Sequence, residues 1–198
     1  MFGKSRPQFF AITRVPKLPP RRFLFLLGST RRAGNSELLA RHAARFLPAT
    51  TEQQWLFLAD FDLPPFVDLR HDAPYPVPTE PAKTLLDATL WATDLVLVTP
   101  LYWYTVSVPA KLYLDYWSAW LRTPGVEFKG RMRDKTFWAV VVSSGSAEEA
   151  LPLRETLQLS ANYMGMPWGG YLLGNGSRPG DVLRDAAALR TAESFFGG

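Results

Sequence analysis

Phe23-Leu24-Phe25-Leu26-Leu27 is an unbroken apolar run of strand length that ends at Gly28. A strand with one face in water alternates polar and apolar residues. Five apolar side chains in a row need cover on both faces, as in the centre of a parallel sheet. The pattern recurs in Asp94-Leu95-Val96-Leu97-Val98-Thr99 and in Phe137-Trp138-Ala139-Val140-Val141-Val142. Gln54-Trp55-Leu56-Phe57-Leu58 and the short Tyr171-Leu172-Leu173 complete five expected strands. Helical patterns lie between and after them. Residues 36–47 start with Ser36 as the expected N-cap, carry Leu39, Ala43 and Phe46 at helical spacing, and stop at Pro48. Further helices are predicted over about Pro81–Thr93, Pro109–Leu121 (with proline in its first turn), 147–164 and Asp181–Phe195. Five strands alternating with five helices specify an α/β fold, a five-stranded parallel sheet with helices on both faces.

A length of 198 residues suits one domain, expected over 21–198. Residues 1–20 read as an N-terminal arm, where Lys4, Arg6, Arg14 and Lys17 mix with Pro7, Pro16, Pro19 and Pro20 without a period. The chain has no cysteine, which excludes disulfides, thiolate zinc and cysteine-held iron–sulfur clusters. His42 and His71 are too few and too far apart to suggest a metal site. No apolar run nears the roughly 20 residues that span a bilayer, and the start lacks a signal-peptide core, so a cytoplasmic location without a membrane partner is expected. The net charge of +4 is modest. Basic and aromatic residues do not interleave in one patch, so no nucleic-acid partner is expected.

In such a sheet, ligands bind beyond the carboxyl ends of the strands, where the winding reverses. Chemistry is therefore expected after strands one, three and four. The first of these loops is Gly28-Ser29-Thr30-Arg31-Arg32-Ala33-Gly34-Asn35-Ser36. It opens a helix, so its amides and the helix dipole can face an anion, with hydroxyl, amide and guanidinium donors alongside. Gly28 and Gly34 are expected to supply its sharp turns. It has neither the lysine of a nucleoside-triphosphate loop nor a G-x-G-x-x-G fingerprint. A terminal monophosphate suits it better, with an ordinary strand–helix turn as the plainer alternative.

The second loop, from Pro100 through Leu101, Tyr102, Trp103 and Tyr104 to Ala110, puts three consecutive aromatics at a strand exit. They suit a flat heteroaromatic ligand, or packing against the next helix or a partner subunit. The third loop, Ser143-Ser144-Gly145-Ser146, offers room and polar donors. The proline-rich stretch from Leu63 to Pro81 is long enough to overhang the site.

Across about residues 22–190 the sequence resembles the NADPH-dependent FMN reductase family of the flavodoxin-like superfamily, which also holds NAD(P)H:quinone oxidoreductases. The pattern Gly-Ser-x-Arg-x-x-Gly-Asn-Ser-x-x-Leu-Ala is met by Gly28 to Ala40, and the Pro-x-Tyr-Trp loop by Pro100 to Trp103, followed by Pro109-Ala110-Lys111 and Asp115. Iron–sulfur relatives carry cysteines after strand two, where this chain has Leu63-Pro64-Pro65-Phe66. The resemblance implies a flavodoxin-like fold with FMN as cofactor and NADPH or NADH as co-substrate. The candidate phosphate-binding residues are Ser29, Thr30, Arg31, Arg32, Asn35 and Ser36. Pro100, Leu101, Tyr102 and Trp103 are expected against the isoalloxazine, with Ser143, Ser144 and Gly145 on its other side.

Flavin carries the hydride chemistry, so no catalytic side chain is expected. Hydride would pass from NAD(P)H to the flavin and on to a small-molecule acceptor: a flavin, a quinone, or an azo or nitro compound. Two alternatives stand beside this reading. One is a flavodoxin-type electron carrier, although such carriers are usually acidic. The other is a non-catalytic flavin-binding protein. The resemblance also implies a homodimer or homotetramer, with Tyr116, Trp117 and Trp120 as candidates for its surface.

Overall fold

The computed structural model describes residues 20–197. Strands β1 (Arg22–Leu27), β2 (Glu52–Phe57), β3 (Asp94–Pro100), β4 (Thr136–Ser143) and β5 (Trp168–Asn175) form one sheet in the order β2-β1-β3-β4-β5. Every pairing is parallel. The chain winds outward from β1 to β2, then returns to β3 and continues to β5. The reversal therefore falls between β1 and β3.

The apolar runs are explained by the two cores. Side chains alternate across a strand, so Phe23 and Phe25 face one side of β1 while Leu24 and Leu26 face the other. The first side is covered by α1 (Asn35–Ala44) and, near the C-terminus, by α6 (Ala186–Ser194) through Leu39, Ala40, Ala188 and Ala192. The second is covered by α2 (Ala82–Trp91), α3 (Val108–Trp120), the short α4 (Phe128–Met132) and α5 (Leu151–Met164). At the edge remote from the expected site, Arg21 Nε and Trp138 Nε1 donate to the carboxylate of buried Asp94 at 3.1 and 3.0 Å. This clamp ties the start of β3 to β4 and to the residue preceding β1.

Several elements differ from the sequence-based expectation. Strand β5 spans eight residues rather than three, because its glycines mark close packing and not a break. A Cβ on Gly169 would lie 2.4 Å from the Trp138 ring, and one on Gly174 would lie 2.8 Å from both Leu39 and Val182. The expected last helix is two pieces, a 3₁₀ turn at Asp181–Arg184 and then α6, for which Asp185 Oδ1 accepts the N–H of Ala188 at 3.0 Å. Helix α4 had no signal that separated it from a loop.

The proline-rich segment packs on α3 instead of overhanging the site. Tyr75 is buried, its hydroxyl accepting the Leu69 N–H and bonding Asp68 Oδ1, both at 3.0 Å, and the Tyr116 hydroxyl donates to Pro64 O at 3.0 Å. Phe66, Tyr75, Tyr116 and Trp120 border a separate apolar groove there, of about 420 Å³. Trp117 and Trp120 are corrected from surface candidates to core: they are 5% and 1% exposed and pack on Phe128. The exposed apolar side chains of that neighbourhood are Leu159 and Tyr163 on α5. The arm assigned to residues 1–20 lies outside the described residues except for Pro20.

Candidate functional site

The loops leaving β1, β3 and β4 meet at the winding reversal around a cleft of about 260 Å³. Gly28 is required at its base by contact rather than by backbone conformation. A Cβ there would lie 2.8 Å from Ala110 Cβ and 2.9 Å from Ser107 Oγ. The left-handed residue in the loop is not a glycine but Ala33, at φ 51°. Gly34 has φ −70° and occupies the N-cap position of α1 expected for Ser36. With glycine there, no side chain caps the helix, so the first-turn amides, which have no intrahelical partner, are left for a ligand.

Ser29, Arg31, Asn35 and Ser36 all line the cleft. Ser29 Oγ accepts the Arg31 N–H at 3.0 Å. Asn35 Nδ2 donates to Arg178 O at 2.9 Å, while its Oδ1 is buried without a partner. An orphaned acceptor beside an uncapped helix start fits a ligand with both a phosphate and a hydroxyl-bearing chain, as FMN has. Two expected residues of this loop stand outside the lining. Arg32 turns toward β2, where it pairs with Asp60 and lies 4.3 Å over the Phe57 ring. Thr30 is exposed beyond the lining.

Pro100, Leu101 and Tyr102 form the next wall, with Leu101 N–H donating to Val142 O at 2.9 Å. Beyond them the chain makes a two-residue hairpin. Tyr102 and Thr105 exchange backbone hydrogen bonds of 3.0 and 3.1 Å around Trp103 (φ 47°) and Tyr104 (φ 63°). Two left-handed residues in sequence are the geometry usually given to Asn-Gly. Bulky aromatics there store strain, which gathers at functional sites. Trp103, expected against the ring, stands instead at the hairpin tip and is 90% exposed.

Val142 at the end of β4 and Ser144 just after it complete this wall. Ser143 is taken up inside its own turn, where Oγ accepts the Gly145 N–H and its carbonyl the Gly176 N–H, both at 3.0 Å. Gly145 lies beneath the Glu149 carboxylate, so neither of these two lines the cleft. A fourth wall, Gly176 and Ser177 after β5, was missed in the sequence. The small polar run Asn175-Gly176-Ser177 was its only signal, hidden because β5 itself was half legible. Asp181 fastens this turn by accepting the N–H groups of Ser177 and Arg178 at 3.1 and 2.6 Å. The Arg178 bond above all holds its carboxyl below the usual carboxylate range.

Among the described residues the lining holds no carboxylate, histidine or lysine, so these offer no acid–base pair working near neutral pH. No group of three potential metal ligands occurs among the described residues. The arrangement can hold a flat phosphorylated molecule that brings its own reactivity.

Residues 21–173 match the family model described as NADPH-dependent FMN reductase. A protein of Bacillus subtilis (strain 168), YwqN, provisionally named an NAD(P)H-dependent FMN-containing oxidoreductase, is 33% identical over 172 residues, covering 85% of this chain and 93% of its own. Among solved structures, the Trp repressor binding protein from Bacillus subtilis is 30% identical with a TM-score of 0.70, over 87% of this chain and 96% of that one. The NAD(P)H:quinone oxidoreductase from Methanothermobacter marburgensis shares the fold, with a TM-score of 0.67 at 16% identity over 90% and 96% of the two chains.

Proposed function

The chain belongs to the NADPH-dependent FMN reductase family of FMN-dependent NAD(P)H oxidoreductases, and we propose that it passes electrons to a quinone or a similarly flat small molecule. The observation that carries this is the cleft itself: an uncapped helix start and an orphaned Asn35 Oδ1 on one wall, Tyr102 of the aromatic hairpin on another, and no acid–base pair among its described lining residues. Bound FMN would supply the hydride chemistry. Ser29, Arg31, Asn35 and Ser36 with the α1 amides would hold its phosphate and ribityl chain. Pro100, Leu101 and Tyr102 would lie along the ring, and Ser144 would meet its polar edge. Trp103 and Tyr104, exposed at the rim, would exclude water and stack on the incoming acceptor.

The test is to extract and identify the flavin of the purified protein. NADPH and NADH oxidation is then followed with and without a quinone. Quinone-dependent oxidation is expected; its absence with both nucleotides would overturn the reading.

We assign a homodimer or homotetramer to the same reading, supported by the exposed Leu159 and Tyr163 on α5 and by Trp103 beside the cleft. A cytoplasmic location accords with the absence of cysteine. No helix among the described residues is long and apolar enough to cross a membrane.

A further inference from the structure

The carboxylate of Glu37 links the hydrophobic core to the loop that opens α1. Its Oε2 accepts the N–H of Ala33 at 2.8 Å, and its Oε1 accepts from Arg41 Nε at 2.8 Å. The Arg41 guanidinium lies 4.3 Å over the ring of Trp55, which stacks at 3.8 Å on Phe25. Phe25 belongs to β1, the strand that feeds this loop. The Glu37 side chain is only 12% exposed, so it is held by packing as well as by its pairs.

The residue it grips is the one under conformational strain. Ala33 has φ 51°, a left-handed state that is strained for a residue with a Cβ. A part-buried hydrogen bond from its N–H to a carboxylate helps to offset that cost. The turn at Ala33 delivers Gly34, Asn35 and Ser36 to the cleft. In a capping box the carboxylate at this helix position takes the N–H of the cap residue, here Gly34. Glu37 reaches one residue further back and leaves the Gly34 N–H untaken by its side chain. Arg41 neutralises the carboxylate, so the anion site is not fronted by an uncompensated negative charge.

We propose that Glu37 is a positioning residue for the ligand phosphate: it touches no ligand and sets the shape of the phosphate loop through Ala33. This rests on the reading of that loop as the FMN phosphate site. Riboflavin, which lacks the phosphate, separates a local effect from a general loss of structure.

The experiment measures FMN and riboflavin binding to the full chain by flavin fluorescence quenching, together with exchange of the Ala33 amide in flavin-free protein. For Glu37→Ala the expected result is an FMN Kd raised about tenfold, the loss of one charge-assisted hydrogen bond. Riboflavin binding should change less than about twofold, and the Ala33 amide should exchange faster. Glu37→Gln, whose side-chain carbonyl can still accept that N–H, should keep FMN affinity within about threefold. Equal losses for both flavins, unchanged or tighter FMN binding, or a glutamine variant behaving like the alanine one would each overturn the proposal. A wild-type chain that binds FMN and riboflavin alike would overturn the phosphate-loop reading, and the role of Glu37 with it.

Discussion

The hydroxyl of Ser107 donates a 2.5 Å hydrogen bond to the carbonyl of Gly28, 79 residues earlier in the chain. Ser107 is buried, and its own N–H donates to Thr99 Oγ1 at 3.0 Å. One side chain thus joins the base of the phosphate loop, the end of β3 and the start of α3. Two walls of the cleft are held in register by a contact that no local pattern announces.

Ser107→Ala should lower stability by about 1–3 kcal/mol, because the Gly28 carbonyl loses its buried partner. Gly28→Ala should cost as much or more through overpacking against Ala110. Chemical denaturation checks both. FMN affinity should fall further than stability alone explains, since the two loops lose their registration.

Trp103→Gly should raise stability by about 0.5–1 kcal/mol by relieving a left-handed aromatic at the hairpin tip. The same change should raise the KM for the acceptor severalfold while FMN affinity stays nearly constant. Thermal unfolding and steady-state kinetics on one preparation test the pair. A stabilised variant with unchanged acceptor KM would remove Trp103 from the rim's function.

Lys135 should make stability rise with pH. Its ammonium is buried and donates to Leu90 O at 2.9 Å and to Ala92 O. Burial, then the nearby Arg22 and Arg131, lowers its pKa from 10.5 to about 8. Between those values the unfolded chain binds more protons than the folded one, so stability increases from about pH 8 upward. Buried Tyr113 and partly buried Tyr171, both pushed up by desolvation to about 12 from 10.0, act oppositely. They stay protonated in the fold while the unfolded phenols ionise, which erodes the gain above about pH 10. Urea midpoints from pH 7 to 10 should climb for the wild type and stay flatter for Lys135→Met.

Asp185→Ala should cost about 1–2 kcal/mol, since the carboxylate caps α6 and also accepts the Asn175 N–H at 2.8 Å. Because Asn175 in turn donates to Gly145 O at 3.2 Å, the turn carrying Gly176 and Ser177 should loosen. FMN binding should weaken by a few-fold, measured by fluorescence quenching.

The central strands were legible because a run such as Leu95-Val96-Leu97-Val98 has no second explanation once both faces must be dry. Ser29, Arg31, Asn35 and Ser36 were legible as lining for a related reason, since a polar loop between a buried strand and a helix start must face the crevice. Arg32 was not. Neighbouring side chains diverge, and Asp60 with Phe57 drew this one toward β2. That Trp103 stands at the hairpin tip and outside the lining was not legible, because aromatic content implies a flat neighbour without saying which ring turns outward. Gly176 and Ser177 escaped because glycine in β5 hid the strand that delivers them.

What the sequence alone determined is the alternation of doubly buried strands with helices, and the anion-seeking loop after the first strand. Both follow from local rules: side-chain periodicity and the unpaired amides of a helix start. The tertiary structure alone decided why Gly28 must be glycine, which side chains of each loop face the cleft, and that a fourth loop joins it. Those depend on contacts between segments far apart in the chain, such as Ser107 with Gly28 and Asn35 with Arg178, and residue order does not encode such distances until the sheet has wound.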